Sequence, residues 1–435
     1  MKYNKNITKW TSIAALSLAL VACKKDREFV QERTDNTTIS VENVLDSRPL
    51  VQSGTFQGTG TPPVTLPGQS TTIQFYAAKG QAITFATMYG LSNDLFFAPE
   101  NPGIKVYTAD GLPIEGDVSA LVKLWDNGTR VNQKPGTTVN HPGAAETKNV
   151  TVVEGTDAQG NTFLPASKLV KATLKYNGNA QFSLTLENTS GGTSNETPLS
   201  PGVWAVSYID DKGNFLNSTP LFTKDKATAN GLTALAESGN NTPLSGYIKG
   251  ITGIFTPISP ILVVVYNGID NPIYKLGEND RNEGLKALAQ KGDASSLAAY
   301  LKGKPGIKSV YILAAPTTTA LLPMINTQRG GNVSQELAVT KGDRIAIATM
   351  YGFSNDWFFA SGADGIDPYK KGDASASIAL FDNGTAINEF PGSGRTQFKL
   401  GGTPLVESKP IAAVPNPNAF TTLPDVKNII KVTIN

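Results

Sequence analysis

The chain has 435 residues, a formal net charge of +2, one histidine and one cysteine. So few His and Cys residues leave no basis for zinc sites of the His/Cys types, or for Ser-His-Asp and Cys-His catalysis within the chain. The balanced charge argues against a nucleic-acid partner, which demands a clustered basic surface.

Read from its start, the chain opens on a basic segment, Met1-Lys2-Tyr3-Asn4-Lys5, followed by an apolar stretch from Ile13 to Ala22. This pattern predicts a secretory signal over 1–22, too short to span a bilayer, which takes about 20 apolar residues. Leu20-Val21-Ala22-Cys23 resembles the bacterial lipobox, so Cys23 is the expected lipidation site and membrane anchor. Cys23 has no partner cysteine, which agrees with a lipidated rather than a disulfide-bonded residue. The charged segment 23–36 reads as a flexible tether. Lys24-Lys25-Asp26 resembles a surface-export signal of bacterial lipoproteins. The expected address is the outer membrane, on its outer surface or on its periplasmic face. Removal of the signal takes Lys2, Lys5 and Lys9 with it and leaves the charge near zero.

Next comes a passage that the chain writes twice. Residues 83–132 and 345–388 share ATMYG, SND, an aromatic pair, an acidic Gly-rich loop and DNGT after an apolar run. Such self-similarity predicts one structural unit present in two copies. Around it, Thr38–Val44 resembles Gln181–Asn188, and Lys168–Leu174 resembles Asn428–Ile434. Alternating apolar and polar residues make each a half-buried strand. Further strands are expected over Ser70–Ala77, Gln81–Met88 and Val118–Trp125, with counterparts over Ser334–Val339, Arg344–Met350 and Ala374–Phe381. The turn-type cluster Tyr176-Asn177-Gly178-Asn179 suggests a boundary, with module one over 37–177 and module two over 178–435. The fold class expected is mainly β, as tandem antiparallel β-sandwiches.

Module two holds a smaller duplication that module one lacks. Thr197-Pro198-Leu199-Ser200-Pro201 and Thr256-Pro257-Ile258-Ser259-Pro260 each open a strand, and each unit closes on a short helix ending in Gly239 or Gly292. Ser295–Leu301 reads as one more short helix. His141 lies in the turn-like PGTTVNHPGAAE, has no duplicate, and reads as a solvated loop residue. No phosphate-binding glycine motif follows a strand.

Taken together, the T-P-x-S-P strand, the Gly-Leu helix ending in Leu235-Ala236-Glu237, the SND-W/F segment and the DNGT loop resemble the spondin N-terminal domain family in a bacterial form. The match covers nearly all of module two and the strand half of module one. The resemblance implies a β-sandwich similar to the calcium-dependent lipid-binding sandwiches, in an extracellular adhesion protein. It also implies a calcium site in loops at one end. Carried over, its ligands are Asp356 and Asp382 in module two and Asp94 and Asp126 in module one. The third ligand of the pattern is lost in both copies, where Arg130 and Ala386 stand.

Three readings of these residues stay open. Two carboxylates with Asn127 or Asn383 can supply a weak Ca2+ site, weaker in module one beside Arg130. Asp-Asn-Gly-Thr is also a strong turn sequence without any metal. A general acid/base pair for glycoside hydrolysis is the rival. Against that rival, the pair is duplicated in unequal modules and no third acidic residue recurs beside it. The aromatics Trp357, Phe358, Phe96 and Phe97 could form an exposed ligand-binding loop or fill the sandwich end, whereas Trp125 and Phe381 are expected in the core. The expected function is binding of a surface polymer or protein partner, not catalysis. The alternative is a glycan-processing accessory protein or hydrolase.

Overall fold

The computed structural model describes residues 33–136, 139–210, 212–325, 327–394 and 403–435. The signal 1–22, Cys23 and most of the expected tether lie outside the described residues. In chain order come β1 (Asp35–Asn43), β2 (Leu50–Phe56), β3 (Ser70–Tyr76), β4 (Ala82–Met88), β5 (Leu95–Pro99), β6 (Ile104–Lys105) and β7 (Gly116–Asp117). Then follow β8 (Val122–Asp126), β9 (Thr151–Val152), β10 (Gly155–Thr156), β11 (Thr162–Phe163), α1 (Ala166–Leu169), β12 (Val170–Gly178), β13 (Gln181–Asn188) and β14 (Gly202–Ser207). After α2 (Leu232–Ser238) and α3 (Thr242–Gly250) come β15 (Ile261–Tyr266), α4 (Leu285–Lys291), α5 (Ser295–Leu301), β16 (Ile307–Leu313) and β17 (Asn332–Val339). The rest is β18 (Arg344–Met350), β19 (Trp357–Ser361), β20 (Gly372–Asp373), β21 (Ile378–Asp382), β22 (Ala412–Ala413) and β23 (Ile430–Ile434).

The protein is mainly β, and its strands pair antiparallel into two matching sandwiches, with β10 and β11 forming a separate two-stranded ribbon. The first unit packs the sheet β3-β13-β12-β7 against β2-β14-β4-β5-β8-β9. The second packs β17-β1-β23-β20 against β16-β15-β18-β19-β21-β22. The two sheet orders correspond strand for strand, except that β6 adds a short extra pairing to β4 in the first unit.

This pairing does not follow the division expected at 177/178. That cut falls inside the β12–β13 hairpin, where Lys175 faces Ser183 and Tyr176 faces Phe182. β13 also pairs with β3, so the strand expected to open module two completes the first unit. Its sequence counterpart β1 crosses the other way and lies between β17 and β23. The expected tether is correspondingly shorter, since Asp35 and Asn36 already pair with Val339 and Ala338. The helical unit that module one was expected to lack is present in the first unit. It is β14 with α2 and α3, and β14 lies between β2 and β4. Self-similarity orders the copies along the chain, but β13 completes the first unit and β1 the second.

The exchanged strand is fixed by its side chains as well as its backbone. Asn43, fully buried, donates to the Thr256 and Leu321 carbonyls at 2.9 Å each. Asn188 makes the matching bonds to Thr65 and Thr197 at 2.9 and 2.7 Å. The T-P-x-S-P motif serves the same purpose in both units. Ser200 Oγ accepts from Met88 N and Ser259 Oγ from Met350 N, both at 2.9 Å.

Each unit carries its helices on the outer face of its larger sheet. That cover is why β15 reads Ile-Leu-Val-Val-Val-Tyr with every residue buried, without the alternation of a half-exposed strand. Gly239 and Gly292 end α2 and α4 in the left-handed conformation, as expected for Gly caps. The units also share one core. Tyr208 stacks on Phe353 at 6.0 Å, and Gln81 Nε2 donates to the Gly392 carbonyl at 2.8 Å.

Candidate functional site: two matching carboxylate corners

The SND segment precedes β5 in the first unit and β19 in the second, and the DNGT loop follows β8 and β21. Because β5 pairs with β8 and β19 with β21, Leu95 faces Asp126 and Trp357 faces Asp382. Each corner therefore gathers its two aspartates from strands adjacent in the sheet. Ser92 and Ser354 turn the preceding loop by accepting from Leu95 N and Trp357 N at 3.1 and 3.0 Å.

The inner aspartates are fully buried. Asp94 Oδ2 accepts from the Thr129 amide at 2.7 Å, the Thr129 hydroxyl at 3.1 Å and the Arg130 amide at 2.9 Å. Asp356 Oδ2 accepts from the Thr385 amide at 2.7 Å, its hydroxyl at 2.9 Å and the Ala386 amide at 2.9 Å. The outer aspartates close the loop itself. Asp126 Oδ1 takes Gly128 N at 2.7 Å and its Oδ2 takes Asn132 Nδ2 at 2.7 Å. Asp382 does the same with Gly384 N at 2.8 Å and with Asn388. Gly128 and Gly384 have positive φ, and a Cβ on either would meet the carbonyl of Lys148 or Lys409. The turn-forming reading of DNGT thus has a direct structural counterpart.

Turn formation leaves part of each corner unused. Asp94 Oδ1 and Asn127 Oδ1 are buried and meet no donor, and Asp356 Oδ1 and Asn383 Oδ1 repeat this. Buried acceptors without a partner cost about 1–3 kcal/mol each, and more when charged. The carboxyl groups register that cost. Burial, followed by the neighbouring Asp126, raises Asp94 to about 6. Burial, followed by Asp382, raises Asp356 to about 7. Asp126 is raised as well, chiefly by burial.

The corners differ at the position where the resemblance expects a third acid. Arg130 turns to Glu237 on α2, with Nη2 2.9 Å from Oε2. Its charge has a partner and is not left bare beside the aspartates. In the second unit Ala386 stands there, and Gln290 on α4 donates to Thr385 Oγ1 at 3.0 Å.

Two pairs of residues escaped the sequence reading. Asn132 and Asn388 lie six positions after the outer aspartates in DNGTRVN and DNGTAIN. Glu146 and Glu407, with their carboxylates paired to Lys148 and Lys409, are acids that recur on the segment bonded to each DNGT loop. Their backbone amides bond to the carbonyls of Thr129 and Thr385, at 3.0 and 3.4 Å. Their signal is short, Glu-Thr-Lys against Glu-Ser-Lys, and lies outside the long self-match.

The possible aromatic contact loop is corrected. Phe96, Phe97, Phe358 and Phe359 are fully buried and Trp357 is 2 % exposed. They occupy β5 and β19, whose two faces meet the core and the helical layer, so none is presented to a ligand. Trp125 and Phe381 are buried as expected, and His141 is exposed in its loop.

No family model matches this chain, and no curated protein matches it.

Proposed function

We propose that this chain is a lipid-anchored, spondin-like envelope protein that binds a surface polymer or protein partner, with a calcium ion at one or both carboxylate corners. The observation that carries the reading is the pair of buried oxygens without donors, Asp and Asn Oδ1, repeated in both units. Calcium takes such ligands, and carboxylate with amide oxygen is its usual chemistry. An ion there would satisfy both oxygens and favour the charged form of Asp94 and Asp356. The residues fit the ion in kind. Two carboxylates and one amide per corner support a weak site in the range of about 10⁻⁴–10⁻³ M typical of extracellular modules.

Anchoring through Cys23 and the outer-membrane address rest on the sequence. Among the described residues no helix is long and apolar enough to cross a membrane. Burial counts against the rival hydrolase reading. Asp94 and Asp356 have no exposed surface to offer a glycosidic oxygen, and their Oδ2 atoms are already held by backbone amides. A general acid must reach the group it protonates.

Calorimetric titration of the secreted Cys23→Ser protein with calcium chloride tests the ion. The reading expects binding at millimolar calcium, and a folded protein that gives no heat contradicts it. Membrane fractionation of the same variant tests the anchor. Full retention in membranes would remove the lipoprotein reading.

A further inference from the structure

The cation reading leaves a question that the two corners answer alike: what replaces the acid missing at Arg130 and Ala386. A bridge pairs Arg130 with Ala145, and another pairs Ala386 with Val406. One step along each ladder, Glu146 comes opposite Thr129 and Glu407 opposite Thr385, and directly opposed residues share a face. Those two threonines are the residues whose hydroxyls bind Asp94 and Asp356. The glutamate side chains are only 12 % and 10 % exposed. In each, Oε2 meets a lysine, Lys148 at 2.6 Å and Lys409 at 2.5 Å, while Oε1 is buried without a donor. The lysines are the exposed partners, at 55 % and 67 %. Lys148 lies in the field of Asp126, and Lys409 in the fields of Asp382 and Asp356. Each lysine is thus a counter-charge at the mouth of a corner with unsatisfied oxygens inside.

We propose that Glu146 and Glu407 are the third carboxylate of the two corners, and that a divalent cation displaces Lys148 and Lys409 as their partner. The inference rests on the calcium reading above. Among the described residues no three acidic side chains are already gathered around one point. The glutamate therefore turns from its lysine toward the oxygens of Asp94 and Asn127, or of Asp356 and Asn383. The lysine, mostly in water, leaves at little cost. The site is then completed from the strand opposite the DNGT loop and not from its fourth residue.

The experiment titrates calcium chloride into the Cys23→Ser protein and into two variants of it, with calcium-free thermal melts as the control for folding. Glu146→Gln with Glu407→Gln keeps shape and removes charge, and is expected to weaken binding about tenfold or more, since affinity follows ligand charge. Lys148→Met with Lys409→Met removes the competitor and is expected to tighten it several-fold. Unchanged affinity in both variants overturns the glutamate assignment and leaves the calcium reading standing. A folded parent protein without calcium heat overturns both.

Discussion

The two units are built from the same parts, yet one is contiguous in the chain and the other is not. The first runs through residues 50–250, hairpin and helices included. The second combines residues 254–435 with β1, a strand on the far side of the first unit in sequence. Identical local patterns therefore give unequal dependence on distant chain. What a strand is can be read from its alternation, but alternation does not say which of two matching sheets it joins, as β1 and β13 show.

The sharpest way to break this comparison is to cut it. Residues 48–253 should melt cooperatively alone, though at a lower temperature than the whole chain, because each of their strands finds its partners inside the fragment while Tyr208 and Gln81 lose Phe353 and Gly392. Residues 254–435 should not, because without β1 the second unit loses its bond between β17 and β23. Extending that fragment back to residue 178 should not rescue it, since β13 belongs to the first unit. Circular dichroism melts of the three fragments check this, and cooperative melting of 254–435 contradicts it.

A smaller effect compares the matched asparagines. Asn43→Ala and Asn188→Ala each remove bonds to two buried carbonyls and to one backbone amide, that of Leu45 or Ser190, and should each cost about 2 kcal/mol. Guanidinium melts should show similar losses for the two. A negligible loss at Asn43 would mean that β1 is held by its backbone alone.

The third comparison concerns pH in calcium-free buffer. A carboxyl group raised in the native state holds its proton more tightly when folded than when unfolded. Its stabilising contribution is complete below the unfolded value near 3.9 and is lost as pH rises through the native value. That value is about 7 for Asp356 and about 6 for Asp94. The protein should therefore gain stability from these groups as pH falls from 8 toward 5, with Asp356 contributing at the higher pH. Asp356→Asn should be more stable than the parent at pH 8 and should flatten the upper part of the profile. A parent profile flat from pH 8 to 5 would contradict the burial argument.

The finest test exchanges the corners. Arg130→Ala with Glu237→Gln gives the first unit the arrangement of the second. The ion pair it removes reaches solvent and is screened there, so folding should change little. Its calcium affinity should approach that of the second unit, as read by titration with Asp356→Asn present to silence the other corner.

Much of this was legible in the sequence. The repeat, the fold class, β18, α5 and the Gly-capped helices follow from periodicity and from Gly placement. The aspartate pairs were legible because SND and DNGT occur twice. Asn43 was not, because its partner Thr256 lies far along the chain and no local pattern links them. Glu146 and Glu407 were hidden for a similar reason: a three-residue echo carries little signal until the ladder sets it across from the DNGT loop. The aromatics misled because β5 and β19 are covered on both faces, so they show no alternation to mark them as core.

Terbium luminescence tests the central claim most directly, since Tb3+ occupies calcium sites and is excited by nearby tryptophan. Trp125 immediately precedes Asp126, and Trp357 immediately follows Asp356. The account predicts sensitised emission that calcium competes away, that falls in part with Asp94→Asn or with Asp356→Asn, and that vanishes with both. Absent emission from the folded protein, or emission indifferent to both substitutions, would contradict it and leave the two corners as turns without an ion.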